Sequence, residues 1–278
     1  MRIFDTHTHA ISADTARYPV NPLGGHRSKW SEKDPPDGDA LLAAMTAAGV
    51  DRAAVVQAST VYGHDNGYAA DCARAHPDRL IGVGSADFQS PDAVLTASHW
   101  VRERGLAGLR LFTEGTTMEQ ASWLDDPATF PAWEWAEAQA VPVCVQAGVS
   151  AVPQLENLCR RFPRVMLVLD HICRLRFSDR SVHEDLAPVL PLAQHPNVYL
   201  KVTTNNLDTA QATPEGPAGL LHVLVDRFGA GRLVWGSNYP AYHGSFGSRV
   251  ELLKGALAGL DEKDAEAITS ETAEGLYG

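Results

Sequence analysis

Short, strongly apolar runs alternate with longer amphipathic segments from one end of the chain to the other. The runs are Arg2–Asp5, Ala53–Ala58, Leu80–Ser85, Gly108–Phe112, Val141–Gln146, Val165–Asp170, Val198–Val202 and Leu233–Gly236. Most are nearly continuous in Val, Ile and Leu. A strand covered on both faces reads this way, whereas a half-exposed strand would alternate apolar with polar. Between the runs, Asp39–Ala48, Asn66–Ala75, Pro91–Arg104, Pro131–Ala138, Val152–Phe162, His183–Leu192, Gly216–Phe228 and Ser245–Leu257 read as helices, and Glu262–Leu276 as an additional C-terminal one. The segments AGVDRA, HPDRL, FPRVM and HPNVY each close a helix and open the next strand, as short connections in α/β units do.

Eight strand–helix units predict an α/β fold, a single (β/α)8 TIM barrel over residues 1–278. An open doubly wound sheet would carry a glycine-rich phosphate turn after its first strand, but His7-Thr8-His9-Ala10 stands there instead. The longest loop, Ala10–Asp37, leaves the carboxyl end of that strand and reads as a lid or binding loop.

Composition narrows the partners. With 23 Lys and Arg against 34 Asp and Glu, the net charge is -11, which argues against nucleic acid and anionic membranes and leaves a small-molecule substrate. No apolar run is long enough to span a bilayer and the first residues lack the pattern of a signal peptide, so the expected location is cytoplasmic. Cys72, Cys144, Cys159 and Cys173 have no CxxC spacing and read as buried free thiols.

Candidate chemistry starts at His7 and His9. Alternate side chains of a strand share a face, so both imidazoles project into the barrel mouth while Thr8 points outward. Such a pair suits a divalent ion, or two histidines satisfied by loop hydrogen bonds. Polar residues also close nearly every other strand: Ser59 and Thr60, Asp87, Arg110, Gln146, His171, Lys201 with Thr203, and Asn238. Barrels of this class collect their active-site groups at those ends. Arg110 and Arg174 can grip a substrate carboxylate in a bidentate manner, and Lys201 can add a charge. Trp30, Tyr62 and His64 in the first two loops and His243 after the eighth strand are further candidates to meet a substrate, whereas His76, His99, His183, His195 and His222 fall on outer helices.

Three stretches carry a family likeness: Phe4-Asp5-Thr6-His7-Thr8-His9, the Leu-Asp-His-Ile-Cys-Arg segment ending at Arg174, and Trp235-Gly236-Ser237-Asn238-Tyr239-Pro240. In these the chain resembles the amidohydrolase-related (amidohydrolase 2) family of TIM-barrel hydrolases. The likeness is nearest to its pyrone-dicarboxylate and sugar lactonase branch, and more distant to its aromatic-acid decarboxylases. The resemblance implies a site at the carboxyl ends of the strands with His7, His9 and His171 in it, as metal ligands or as groups that polarise a carbonyl. The family pattern adds a histidine after the fifth strand and an aspartate after the eighth, where this chain has Gln146 and Asn238. Both changes remove charge or basicity and weaken the hold on an ion, so the resemblance leaves zinc or manganese open. Asn238 has no basic site near neutral pH; a base would come from His171, a metal-bound hydroxide, or loop groups such as His64, Asp65 or Glu114.

The expected function is hydrolysis of a small, carboxylated lactone. His7, His9, His171 and Asn238 are the expected catalytic groups, and Arg110, Arg174, Gln146, Lys201, Ser59, His64 and His243 the expected substrate contacts. The alternatives are metal-dependent, non-oxidative decarboxylation of an aromatic or unsaturated acid, and a non-catalytic barrel that binds a metabolite or a protein. The sequence gives no sign of the oligomeric state.

Overall fold

All eight apolar runs become strands of one parallel sheet in the computed structural model, which describes residues 1–113 and 123–278. They are β1 (Phe4–Thr8), β2 (Arg52–Val56), β3 (Leu80–Ser85), β4 (Gly108–Phe112), β5 (Val143–Gln146), β6 (Leu167–Asp170), β7 (Val198–Thr203) and β8 (Leu233–Gly236), in spatial order β1 to β8. The sheet curls back on itself: Thr8 bridges Tyr239, His9 N donates to Tyr239 O at 2.7 Å, and Asn238 N donates to His7 O at 2.8 Å. The result is a (β/α)8 barrel, as expected, with the loop over residues 10–37 at the carboxyl end of β1.

Two apolar layers follow from strand alternation. Val55, Leu109, Val143, Leu169 and Trp235 face out against the helices, whereas Phe4, Ala54, Val56, Ile81, Val83, Cys144, Val168 and Val234 fill the barrel. Leu276 and Tyr277 of the last helix, Thr272–Tyr277, plug the amino-terminal end of the barrel. Gly108 leaves room for it: a Cβ there would lie 3.1 Å from the Tyr277 ring and 3.2 Å from Pro142 O, a tight fit.

Several boundaries differ from expectation for local reasons. Val141 N and Val165 N bond to Ala136 O and Phe162 O, so both residues close helical turns and not strands. The segment predicted as a helix from His183 to Leu192 divides at Pro188 into a helix over Val182–Leu186, capped by the reciprocal Ser181–Glu184 pair, and a 3-10 turn over Leu190–Gln194. A helix over Thr204–Ala210, capped by Thr203 with Asn206, was not predicted.

The first strand reaches further than its apolar residues suggest. A register shift between Asp5 and Thr8 interrupts the pairing with β2. One extra residue reverses which face the following side chains occupy, so Phe4 fills the barrel below while His7 and His9 reach the cavity above. All four cysteines are buried and none is in a disulfide, and among the described residues no helix is long and apolar enough to cross a membrane.

Candidate active site

A cavity of about 230 Å3 opens at the carboxyl ends of the strands. Its walls come from His7 and His9 of β1, Ser28 and Trp30 of the first loop, Ser59 and Thr60 after β2, Arg110 of β4 and Gln146 of β5. His171, Arg174 and Arg176 after β6, Asn205 and Asn206 after β7, and Asn238 after β8 add further polar groups. In a chain of net charge -11, the described lining holds three arginines and neither Asp nor Glu. The volume lies just below the ~300–1,000 Å3 usual for ligand pockets, which suits one small ring.

Hydrogen bonding orients two of the three imidazoles. His9 Nδ1 lies 2.8 Å from Val56 O, so it carries the proton and donates, leaving a lone pair on Nε2. The ring also stacks on Trp30, with centroids 5.1 Å apart. Thr203 Oγ1 donates to Asn206 Oδ1 at 2.9 Å and lies 2.9 Å from His171 Nδ1. Asn206 is itself fixed, because its amide group donates to His171 O and Leu175 O. With its own proton already given to Asn206, the Thr203 hydroxyl accepts from His171 Nδ1–H, and Nε2 of His171 keeps its lone pair.

His7 lies between them, its ring centroid 5.0 Å from that of His9 and 4.9 Å from that of His171. Neither of its ring nitrogens has a hydrogen-bond partner among the described residues. Burial pushes all three imidazoles toward the neutral form: His9 falls to about 4 and His171 to about 3, and His7 falls well below the ordinary value.

Beneath the histidines lies a buried charge cluster. The Asp170 carboxylate meets Arg110 Nε at 2.6 Å and Lys201 Nζ at 2.9 Å, and its Oδ1 is 3.8 Å from His7 Nδ1. Burial would raise the Asp170 pKa, but the charges of Lys201 and Arg110 outweigh it and hold the carboxyl well below its usual range. Burial likewise opposes the charge on Lys201, but Asp170 keeps its pKa raised. Two cations against one anion leave an excess of one positive charge below the cavity floor.

The backbone after β6 is unusual. His171, Ile172, Cys173 and Arg174 have φ of 57°, 49°, 51° and 58°, one turn of left-handed helix without a glycine. Each such residue costs about 1–2 kcal/mol, and a β-branched Ile in this region is a true outlier. The turn buries Ile172 and Cys173 and presents His171 and Arg174, three positions apart, to the cavity. Strain of this kind persists where the surroundings over-determine it, commonly at functional sites. Asn238, at φ 55°, tolerates the same conformation more easily, and its Nδ2 donates to Asn205 Oδ1 at 3.0 Å.

Of the residues singled out in the sequence, His7, His9, His171, Asn238, Arg110, Arg174, Gln146 and Ser59 come together around the cavity. Tyr62, Asp87, Thr203, Lys201, His64 and His243 do not line it. Lys201 is fully buried, its ammonium directed to Asp170 and within 3.6 Å of Cys144 Sγ. His64 bonds Ser85 Oγ through Nδ1 at 3.0 Å and borders a separate hollow. His243 is 71% exposed and lies 3.5 Å from Asp208. Arg110 reaches the wall, but its Nε is committed to Asp170 and its Nη2 to Gln146 Oε1. Of the loop groups considered as a base, Asp65 accepts from Gly67 N away from the cavity, and Glu114 lies outside the described residues. Sequence reasoning missed Asp170, Ser28, Arg176, Asn205 and Asn206. Asp170 was legible as the inward position of β6 immediately before His171; Ser28 and Arg176 sit on loops, where no periodicity reports direction, and Asn205 and Asn206 lie in the unpredicted helix Thr204–Ala210.

The lone pairs of His9 and His171 and the unpartnered nitrogens of His7 are donors that zinc accepts. The rest of the site does not fit a divalent ion. No carboxylate lines the described cavity, Asp170 is held by two cations, and the excess positive charge beneath would repel a dication. Among the described residues, no group of three His, Cys, Asp or Glu has a metal-holding arrangement.

Comparison with known proteins agrees with this architecture. The chain matches the amidohydrolase family over residues 4–278. An L-fucono-1,5-lactonase of Burkholderia ambifaria is 30% identical over 213 residues, spanning 74% of this chain and 69% of the relative. A solved structure from Pseudomonas putida, named as a candidate 2-pyrone-4,6-dicarboxylic acid hydrolase, superposes with a TM-score of 0.78 at 26% identity, covering 100% of this chain and 97% of that one. An amidohydrolase of Burkholderia multivorans with bound zinc shares the fold at a TM-score of 0.75 and 22% identity, covering 100% and 99%. Barrel, cavity position and family match converge, and the chain is a hydrolase of the amidohydrolase family.

Proposed function

We propose that the protein opens a small lactone that carries a carboxylate or ring hydroxyls, by attack of water on the ring carbonyl. The observation that carries this reading is the pairing of two imidazole lone pairs, on His9 and His171, with a cavity lined by three arginines and no described carboxylate. Two acceptors facing one cavity can take both protons of a water molecule and leave its own lone pair directed at the carbonyl carbon. As the carbon–oxygen bond forms, His171 Nε2 takes a proton from the water. The ring carbon–oxygen bond then breaks, and the same proton passes to the departing ring oxygen, giving the hydroxy acid. A His171 pKa of about 3 makes it a weak base at rest; negative charge building on the carbonyl oxygen beside it strengthens it when needed.

The oxyanion is met by the Asn238 amide and the Arg174 guanidinium, and the excess positive charge below the floor acts in the same direction. Arg174 and Arg176 select a carboxylate or hydroxyl substituent, while the amides of Asn205, Asn238 and Gln146 offer hydrogen bonds to ring oxygens. The two relatives named for cyclic esters support the substrate class.

Acid release on a lactone panel that includes L-fucono-1,5-lactone and 2-pyrone-4,6-dicarboxylate tests the proposal. Ring opening with one acid equivalent per turnover, retained after dialysis against a chelator, is expected. Release of carbon dioxide without ring opening would favour a decarboxylase and contradict it.

A further inference from the structure

Between β8 and β1 the described barrel has no strand ladder: an isolated bridge, Thr8 to Tyr239, and a bond from Thr6 Oγ1 to Trp235 O at 2.8 Å join them. Two buried charged residues that do not line the cavity add to this. Asp5 is fully buried on β1, and its Oδ1 accepts from His7 N and Ser237 N, each at 2.9 Å. Arg249, on the helix Phe246–Ala256, is 2% exposed. Its Nη1 donates to Ser237 O at 3.2 Å, and its Nη2 to Tyr242 O, to Gly244 O at 3.1 Å and to His243 O at 3.4 Å. The guanidinium also sits over the Tyr239 ring, 5.1 Å from its centroid.

Ser237 is therefore gripped from both sides, its N–H by Asp5 and its carbonyl by Arg249, and the next residue is Asn238. Asp5 holds the His7 amide with the same oxygen. The carboxylate spans the seam and the guanidinium holds its Ser237 end, and together with the direct bond from Asn238 N to His7 O at 2.8 Å they set how Asn238 meets His7. A neutral side chain of similar size supplies at most part of this, because only guanidinium presents five donors in a rigid fork.

We propose that Asp5 and Arg249 are a positioning pair that sets Asn238 against His7, so that turnover depends on Arg249 more steeply than folding does. The proposal rests on the reading of this cavity as the lactone-hydrolysing site. Its test uses Arg249→Lys and Arg249→Met in the full chain, with three readouts: thermal melting, kcat and KM on the best lactone, and the side-chain amide signals of Asn238 in 15N-labelled protein, assigned with Asn238→Ser. In the folded variants kcat falls about tenfold to a hundredfold, as a displacement near 1 Å at a reacting centre does, while KM stays within about threefold and the Asn238 signals move.

A brace that serves folding alone lowers the melting temperature but leaves kcat of the folded protein and the Asn238 signals unchanged, and that result overturns the proposal. If Arg249→Met does not fold, Arg249→Lys decides. It keeps the charge but reaches fewer carbonyls at once, and full kcat with unmoved Asn238 signals contradicts the pair's role. If the wild type opens no lactone, the proposed reaction fails separately, and the Asn238 signals alone support or overturn the brace.

Discussion

At the scale of single residues, the site turns on which nitrogen of each imidazole carries the proton. The Thr203 hydroxyl is the pivot, because it accepts from His171 while donating to Asn206. Thr203→Val keeps the shape and removes both bonds. It should cost about 1–3 kcal/mol of stability through unsatisfied buried groups. Loss of the preferred tautomer should lower kcat by roughly tenfold. Thr203→Ser retains the hydroxyl and should restore most of both. A folded Thr203→Val protein with unchanged kcat would remove the tautomer argument. Lys201 shows why a single residue is hard to place from sequence: a lysine at a strand end reads as a rim charge, and only the inward position of Asp170 on the neighbouring strand makes its complete burial tolerable.

At the scale of elements, apolar runs located every strand because burial on both faces leaves a continuous signature. The details that aim side chains were less legible. The register shift between Asp5 and Thr8 is set by pairing with β2 and by the β8 seam, both distant in sequence. The left-handed turn at His171–Arg174 contains no glycine to announce it. The short helix after β7 hid because its cap, Thr203 with Asn206, belongs to the strand end as much as to the helix.

One close contact at the seam gives a direct check. A Cβ on Gly236 would lie 2.6 Å from His7 Cβ, so one strand must yield. Gly236→Ala should destabilise by about 1–3 kcal/mol as overpacking does, and lower activity by displacing His7. A variant that melts and turns over like wild type would mean that the seam is looser than described.

At the scale of the whole molecule, an acidic protein encloses a basic cavity, and this contrast governs its response to pH. His7, His9 and His171 are depressed in the fold, with His9 at about 4 and His171 at about 3, so the unfolded chain takes up protons that the folded one refuses. Their contribution is complete above pH ~6.5 and is lost as the pH falls toward the folded values. Asp5 acts in the opposite sense: burial lifts its carboxyl to about 6, so acidification below that favours the fold. His64 is depressed by burial as well, so the histidines outnumber the aspartate and unfolding near pH 5 takes up protons on balance. Urea unfolding of chelator-treated protein should show lower stability at pH 5 than at pH 7. Equal or greater stability at pH 5 would mean that the imidazoles are not buried as described.

If His171 is the group that moves the proton in lactone opening, kcat of His171→Gln on the best lactone of the panel reports it. The fold should survive, because the Gln side-chain amide can still donate to Thr203, while kcat falls about a thousandfold for loss of a general base. A folded His171→Gln protein that opens the lactone at near wild-type rate would contradict the account.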